Sequence, residues 1–420
     1  MRQLILITML AAVFLQGCKH RETLGDLCSL EQPKVSMAAV AGLVAPLKPD
    51  PSSSAPIPIK GSSYQPARLD DQSYSFVVLG DTQFHNNDCH AGPTELNAVP
   101  GAVLQLKPDF LLHVGDLMHE ARDPSTYHIF SSCLSEMLDR IPLFPAVGNH
   151  DMDYDLGIAN FREYLEHQLF VRNAFLRGPS YSADFPLTYL DDEAVYSRDK
   201  KKPREFDLVP SGFSHKLYYA FRHRNAYFVI FEVGTRWEVC TPPRWVERHL
   251  RLARSDPSID HLFVVLHHPL YSTFMDESGG GDNLTSVRGP YEALFRKYDV
   301  TTVFTGHAHA FERFYVPDDG TPTRSNKGPR QCYNQDGEGV HHLTVGPSGS
   351  AFMPGDYCTN VPPPREEPSL AYLQGRGCGH NMAQVVVRGK QVDVNIVGLT
   401  GTPDAFQTSI WDSFTIRETP

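Results

Sequence analysis

The 420-residue chain carries 38 Lys and Arg against 49 Asp and Glu, a net charge of −11, which excludes a protein that lives by gripping nucleic-acid backbone with a basic face. At 41% hydrophobic and 21% charged residues it also falls outside the disordered, collagenous and multi-span membrane classes. Histidine is abundant at 19 residues, and where those histidines sit decides the reading.

The chain opens with Met1 and Arg2, then an apolar run from Leu4 to Leu15 that is too short to span a bilayer and has the layout of a cleaved signal. Its end, Leu15-Gln16-Gly17-Cys18, resembles a bacterial lipobox. That resemblance implies a signal peptide over 1–17, lipidation of Cys18 and a protein anchored to the membrane of the bacterial cell envelope. With Lys19 after the cysteine, it implies the periplasmic face of the outer membrane if the cell is Gram-negative. Residues 18–72 are rich in Pro and Ser and cannot form a packed core, so they are expected to be a tether. Seven further cysteines follow, Cys28, Cys89, Cys133, Cys240, Cys332, Cys358 and Cys378; in an oxidising envelope some pair, but the odd number leaves at least one over. No Cys-x-x-Cys occurs, which argues against a thiolate zinc site, and Cys332, Cys358 and Cys378 read as loop staples.

From residue 73 the pattern changes to an alternation of strands and helices. Phe76–Leu79, Phe110–Val114, Leu143–Val147, Leu262–Leu266 and Val300–Phe304 are short apolar runs, as strands buried on both faces should be. Asp123 and Pro124 signal a helix start, with Phe130, Cys133, Met137 and Leu138 at helical spacing before Pro142. Further helices are predicted from Ile158 through Leu169, over Trp245–Arg254 and over Tyr291–Tyr298. Gln384–Val387 and Gln391–Val397 flank Arg388-Gly389-Lys390 as a hairpin. One α/β domain over 73–420 is expected, with mixed sheets and with insertions at about 152–216 and 316–380, where the alternation breaks down.

Each of the five strands runs into a polar tip. These are Gly80-Asp81-Thr82-Gln83, Gly115-Asp116, Gly148-Asn149-His150-Asp151, His267-His268-Pro269 and Gly306-His307-Ala308-His309. Open α/β sheets bind ligands beyond the carboxyl ends of their strands, so the tips should converge. They offer carboxylates from Asp81 and Asp116, an amide oxygen from Asn149, and imidazoles from His267, His307 and His309. That mixed oxygen and nitrogen set suits Fe, Mn or Zn. Six ligands exceed one tetrahedral site and match two ions sharing a carboxylate, close enough to clamp a phosphoryl group. His307 and His309, on a loop, can serve different ions.

The series Gly-Asp, Gly-Asp, Gly-Asn-His-Asp, Val264-x-x-His267 and Gly-His-x-His resembles the calcineurin-like metallophosphoesterase superfamily over about residues 74–312. Gly306-His307-Ala308-His309-Ala310-Phe311-Glu312-Arg313 and His268-Pro269-Leu270-Tyr271 are most similar to its purple acid phosphatase branch. The resemblance implies a four-layer α/β/β/α sandwich. It implies a first metal held by Asp81, Asp116 and His309 and a second held by Asp116, Asn149, His267 and His307, with His150 contacting phosphate and Asp151 orienting its ring. The implied activity is hydrolysis of small phosphate esters by a metal-bound hydroxide, with no nucleic-acid partner. A phosphodiesterase or nucleotidase on the same site is the alternative within the class. A non-catalytic surface-binding lipoprotein with a degenerate metal site is the alternative outside it.

Two positions depart from the family pattern. Gln83 stands where superfamily members have His, and His119 stands where purple acid phosphatases have Tyr; either can complete the first metal's shell, or neither does and the position is weak or left to water. Without that Tyr there is no phenolate to give iron its colour. Of the other residues, His113 reads as a core or supporting residue. His268, Tyr271 and His85 are substrate-contact candidates, His90 is a rim candidate, and Tyr271, Glu312 and Arg313 also read as braces for the metal loops.

Overall fold

The computed structural model describes residues 73–84, 98–121, 125–152, 157–173, 217–233, 243–273, 285–320, 331–334, 339–351, 372–402 and 405–417. The signal segment, Cys18, the tether, His85, His90 and most of the 152–216 insertion lie outside them. In chain order the first half contributes β1 (Ser73–Leu79), α1 (Val99–Leu106), β2 (Phe110–His113), α2 (Ser125–Cys133), α3 (Ser135–Leu138), β3 (Leu143–Pro145) and α4 (Gly157–His167). There follow β4 (Tyr219–His223), β5 (Ala226–Ile230), α5 (Pro243–Ser255), β6 (His261–Val265), α6 (Thr285–Lys297), β7 (Thr302–Thr305) and β8 (Phe311–Pro317). The rest is strand: β9 (Gln331–Asn334), β10 (Gly339–Thr344), β11 (Leu373–Gly377), β12 (Asn381–Arg388), β13 (Gln391–Thr400) and β14 (Gln407–Arg417).

Two seven-stranded mixed sheets result, in the orders β3-β2-β1-β12-β13-β14-β9 and β11-β8-β10-β7-β6-β5-β4. β1, β2 and β3 are parallel, as are β5, β6, β7 and β10, so their carboxyl ends lie along common edges. The predicted hairpin forms, with Arg388 paired to Gln391 and Gly389 at φ 56° in its turn.

Alternation along the strands explains the layering. In the second sheet Phe228, Ile230, Phe263, Val265 and Phe304 face the first sheet and join its core, while Tyr227, Val229, Leu262, Val264 and Val303 face the other way. That opposite face is covered by Trp245, Val246 and Leu250 of α5 and Tyr291 and Phe295 of α6. Val99, Val103 and Leu106 of α1, with Phe130, Phe161 and Leu165 of α2 and α4, join the core of the first sheet. Between the sheets Phe76 stacks on Phe110 at 5.1 Å and meets Phe228 and Phe263 edge-on at 5.4 and 5.3 Å. Such pairs add about 0.5–1.5 kcal/mol each beyond their buried area.

Three expectations are modified. The helix expected up to Pro142 divides at Leu134 into α2 and α3. α6 begins six residues before Tyr291 and runs through Gly289-Pro290, with Pro290 inside the helix. The Gly- and Pro-rich stretch at 316–380 contains β9, β10 and β11, and β10 is an interior strand of the second sheet. Its Gly-Val-His-His-Leu-Thr sequence hides this because His341 and His342, polar by type, are both buried.

Candidate functional site

The candidate side chains stand where strands stop. β1 leads into Asp81, β2 into Asp116, β3 into Asn149, β6 into His267 and β7 into His307. The backbone bends sharply to present them. Asp81, Gln83, Asp116, His307 and His309, at φ 51°, 42°, 57°, 69° and 48°, are five of the eight non-glycine residues with positive φ among those described. Such conformations cost about 1–3 kcal/mol each, persist only where the surroundings enforce them, and cluster at functional sites. Close approach needs glycine: a Cβ on Gly148 would stand 2.1 Å from Asp116 Oδ1, and one on Gly306 2.6 Å from Asp81 Oδ2.

Two groups of ligand atoms form. Asp116, His267 and His307 bring one ligand atom each within 4.8 Å of one another, and so do Asp81, Asp116 and His309; Asp116 belongs to both. Asn149 Oδ1 lies 2.9 Å from His267 Nε2 and 2.9 Å from His307 Nδ1. His267 Nε2 lies 3.3 Å from Asp116 Oδ2, and His309 Nε2 3.5 Å from Asp81 Oδ1.

The other nitrogen of His267 settles its tautomer. Nδ1–H donates to the Val114 carbonyl at 2.9 Å, so in the neutral ring the Nε2 lone pair faces the oxygens of Asn149 and Asp116. Acceptors cannot satisfy one another, and a cation or proton between them is what makes the arrangement favourable. Titration reflects that demand. Burial disfavours charge on His267, but Asp116, Asp81 and Glu232 outweigh it and raise its pKa from 6.5 to about 10. Burial likewise opposes charge on Asp116, yet His267, His150 and His307 hold it below the usual carboxylate range. Burial raises Asp81, with His309 partly offsetting it. Oxygen and imidazole donors without thiolate, in two groups sharing a carboxylate, fit transition-metal ions of the Fe, Mn or Zn kind.

The family model for calcineurin-like phosphoesterases matches residues 74–311, which span all five tips. The chain belongs to this family. It is 25% identical over 58% of its length to an Fe(3+)-Zn(2+) purple acid phosphatase of Arabidopsis thaliana, covering 44% of that protein. To a phosphoenolpyruvate phosphatase of Allium cepa it is 25% identical over 68% of its length, covering 54% of that protein. The chain thus spans about half the length of these relatives. A purple acid phosphatase from yellow lupin (Lupinus luteus) seeds superposes over 86% of this chain and 55% of its own, with a TM-score of 0.52 at 17% identity, which establishes the fold.

Within this calcineurin-like framework several expected roles change. Asp151 does not orient His150. Its buried carboxylate accepts the backbone N–H groups of Asp116, Leu117, Met118 and Gly148 and the Tyr127 hydroxyl, fastening the β2 loop to the β3 loop. His119 joins neither ligand group; its ring stacks on His150. Gln83 does reach the first group, with Nε2 3.0 Å from Asp116 Oδ2 and 3.3 Å from His309 Nε2. His268 is wholly buried, bonded through Nδ1 to Glu232 at 2.8 Å and tilted against His307 at 4.5 Å, so it supports a ligand and offers substrate no surface. Tyr271 packs behind the second sheet, under the Arg288 guanidinium and against Phe314 and His342, because its ring completes the apolar layer there.

His113 is a supporting residue, as expected. It is wholly buried, accepts the Gly115 N–H at Nδ1, and meets Thr82 Oγ1 at 3.1 Å. Burial, then the neighbouring His267, lowers its pKa from 6.5 to about 3, so it stays neutral. Glu312 takes the Ser272 hydroxyl and the Thr273 N–H, bracing the loop that follows His267.

Two contributors escape the sequence reading. Glu232, just past β5, accepts the His267 N–H at 2.6 Å; although burial opposes its charge, His268 and His267 keep its pKa below the ordinary value. The backbone carbonyl of Ala351, seven residues past the end of β10, accepts from His309 Nδ1 at 2.6 Å, which turns Nε2 toward Asp81. Glu232 follows a strand as the five tips do but without their Gly or His, and Ala351 acts through its backbone, which no residue type signals.

Proposed function

We propose that this chain hydrolyses phosphate esters as a metal-dependent phosphatase. Two transition-metal ions would be held by Asp81, Asp116 and His309 and by Asp116, Asn149, His267 and His307. The observation that carries the reading is that Asn149 Oδ1 and Asp116 Oδ2 lie 2.9 and 3.3 Å from His267 Nε2, acceptors facing an acceptor nitrogen at a buried histidine. Bound there, the ions supply positive charge for a phosphoryl group and acidify a water for in-line attack.

The chain's own residues set the geometry. Asp116 shares its carboxylate between the groups and accepts the His150 N–H at 2.8 Å, which ties the His150 backbone to the ligand cluster. Buried Asp81 receives the His307 N–H on both oxygens, at 3.0 and 3.1 Å, locking the β7 loop to the β1 loop. His150 is partly exposed, 27% accessible, with Nε2 4.0 Å from Asp116 Oδ2. It touches the phosphoryl group and hands a proton from Nε2 to the leaving oxygen, the work for which imidazole is suited near neutral pH.

The names of the relatives, purple acid phosphatase and phosphoenolpyruvate phosphatase, support a small phosphate monoester as substrate. Leu15-Gln16-Gly17-Cys18 supports a lipid-anchored location in the cell envelope. The test is turnover of p-nitrophenyl phosphate and bis(p-nitrophenyl) phosphate by the wild type and Asn149→Ala. The monoester is expected to be preferred, and the variant to lose about 100-fold or more of kcat together with one bound ion. Near-wild-type activity in Asn149→Ala would remove the assignment.

A further inference from the structure

We propose that His119 is the positioning residue of His150: its backbone carbonyl fixes the tautomer and its imidazole sets the plane of the ring. The proposal deepens the phosphoesterase reading and rests on it. His150 Nδ1 lies 2.8 Å from the His119 carbonyl oxygen, and the two rings stack with centroids 4.9 Å apart and planes inclined by 25°. A carbonyl only accepts, so Nδ1 keeps its hydrogen and Nε2 is the nitrogen turned toward Asp116. When the phosphorus–oxygen bond breaks, the proton on Nε2 goes to the leaving oxygen and His150 remains as the neutral Nδ1–H imidazole.

His119 is itself well anchored. Its N–H donates to the Phe84 carbonyl at 3.1 Å, and Phe84 bridges in parallel to Met118. The backbone just before it is gripped by Asp151. The loops that carry Asp81 and Asp116 therefore also carry the surface on which His150 lies. This arrangement registers the His150 ring to the ligand carboxylates, the service that Asp151, occupied with backbone N–H groups, does not provide. Displacement of a reacting group by about 1 Å can cost 100-fold, so the plane of this ring matters to turnover.

His119→Phe keeps the flat ring and the carbonyl but removes both ring nitrogens, whereas His119→Ala removes the stack. Three readouts decide: kcat and KM on phenyl phosphate and p-nitrophenyl phosphate, bound metal by elemental analysis, and binding of inorganic phosphate by calorimetry. His119→Ala is expected to lose about 10- to 100-fold in kcat on phenyl phosphate, whose leaving group needs a proton, but less than about threefold on p-nitrophenyl phosphate. His119→Phe should stay within about threefold of wild type on both, and both variants should keep the wild-type metal content. Loss of metal from both variants, with equal losses on the two esters, would make His119 a ligand and overturn the proposal. So would wild-type kcat on phenyl phosphate in His119→Ala. Phosphate binding needs no turnover: about tenfold weakening in His119→Ala alone supports the positioning role, and equal binding by all three proteins overturns it even if the chain hydrolyses neither ester.

Discussion

At the residue scale the site is defined by what each ligand atom faces. His267 has one nitrogen committed to the Val114 carbonyl and the other held against Asn149 and Asp116. The position where purple acid phosphatases carry a metal-ligating tyrosine is taken by His119, whose ring lies on His150. Iron-loaded protein is therefore expected to show no tyrosinate charge-transfer absorption in the visible; a purple preparation that bleaches on reduction would contradict this donor set. That Asp81, Asp116, Asn149, His267, His307 and His309 come together could be read from sequence, because each follows a strand within a Gly-containing or His-rich tip. Glu232 could not. It follows the same kind of run, but an isolated Glu beyond a strand says nothing about whether it meets a histidine 35 residues away.

At the element scale the loops depend on how the sheets are joined. Arg313 of β8 is buried and donates through Nε to Asp412 of β14 at 2.6 Å, linking the second sheet to the first. Removing one partner of a buried pair strands the other's charge, so Arg313→Met should cost about 3–5 kcal/mol in urea unfolding. Arg313→Met combined with Asp412→Leu should recover much of that loss. β8, β10 and β14 were illegible as strands for a common reason: their runs mix Arg, His, Asp and Thr that pair across the structure, so no clean alternation marks them.

Buried histidines also give the fold a pH dependence. His223 of β4 lies edge-on to Tyr74 and Phe110, and burial, aided by Arg224, lowers its pKa from 6.5 to about 3. The unfolded chain protonates this residue below about pH 6.5 while the folded chain does not, so the stability it supplies is complete above that pH and is lost as pH falls toward 3. His223→Leu should thus lose less unfolding free energy than wild type between pH 7 and pH 4, by a few kcal/mol. Equal losses in both proteins would show that His223 titrates normally.

At the scale of the whole molecule, two mixed sheets packed face to face bring tips from both to one edge, with Asp81, Asp116 and Asn149 from the first and His267, His307 and His309 from the second. This is why no short segment of sequence contains the site, and why the order of the motifs along the chain was more informative than any one of them. A net charge of −11 is unfavourable for binding phosphate, and bound cations would reverse the sign of the local field. The most direct test counts Fe, Mn and Zn in the purified protein and follows p-nitrophenyl phosphate turnover in the same sample through chelation and reloading. About two ions per chain are predicted, with activity lost on chelation and restored on reloading. Full turnover by the metal-free chain, or two bound ions with no hydrolysis of any phosphate ester, would contradict the account.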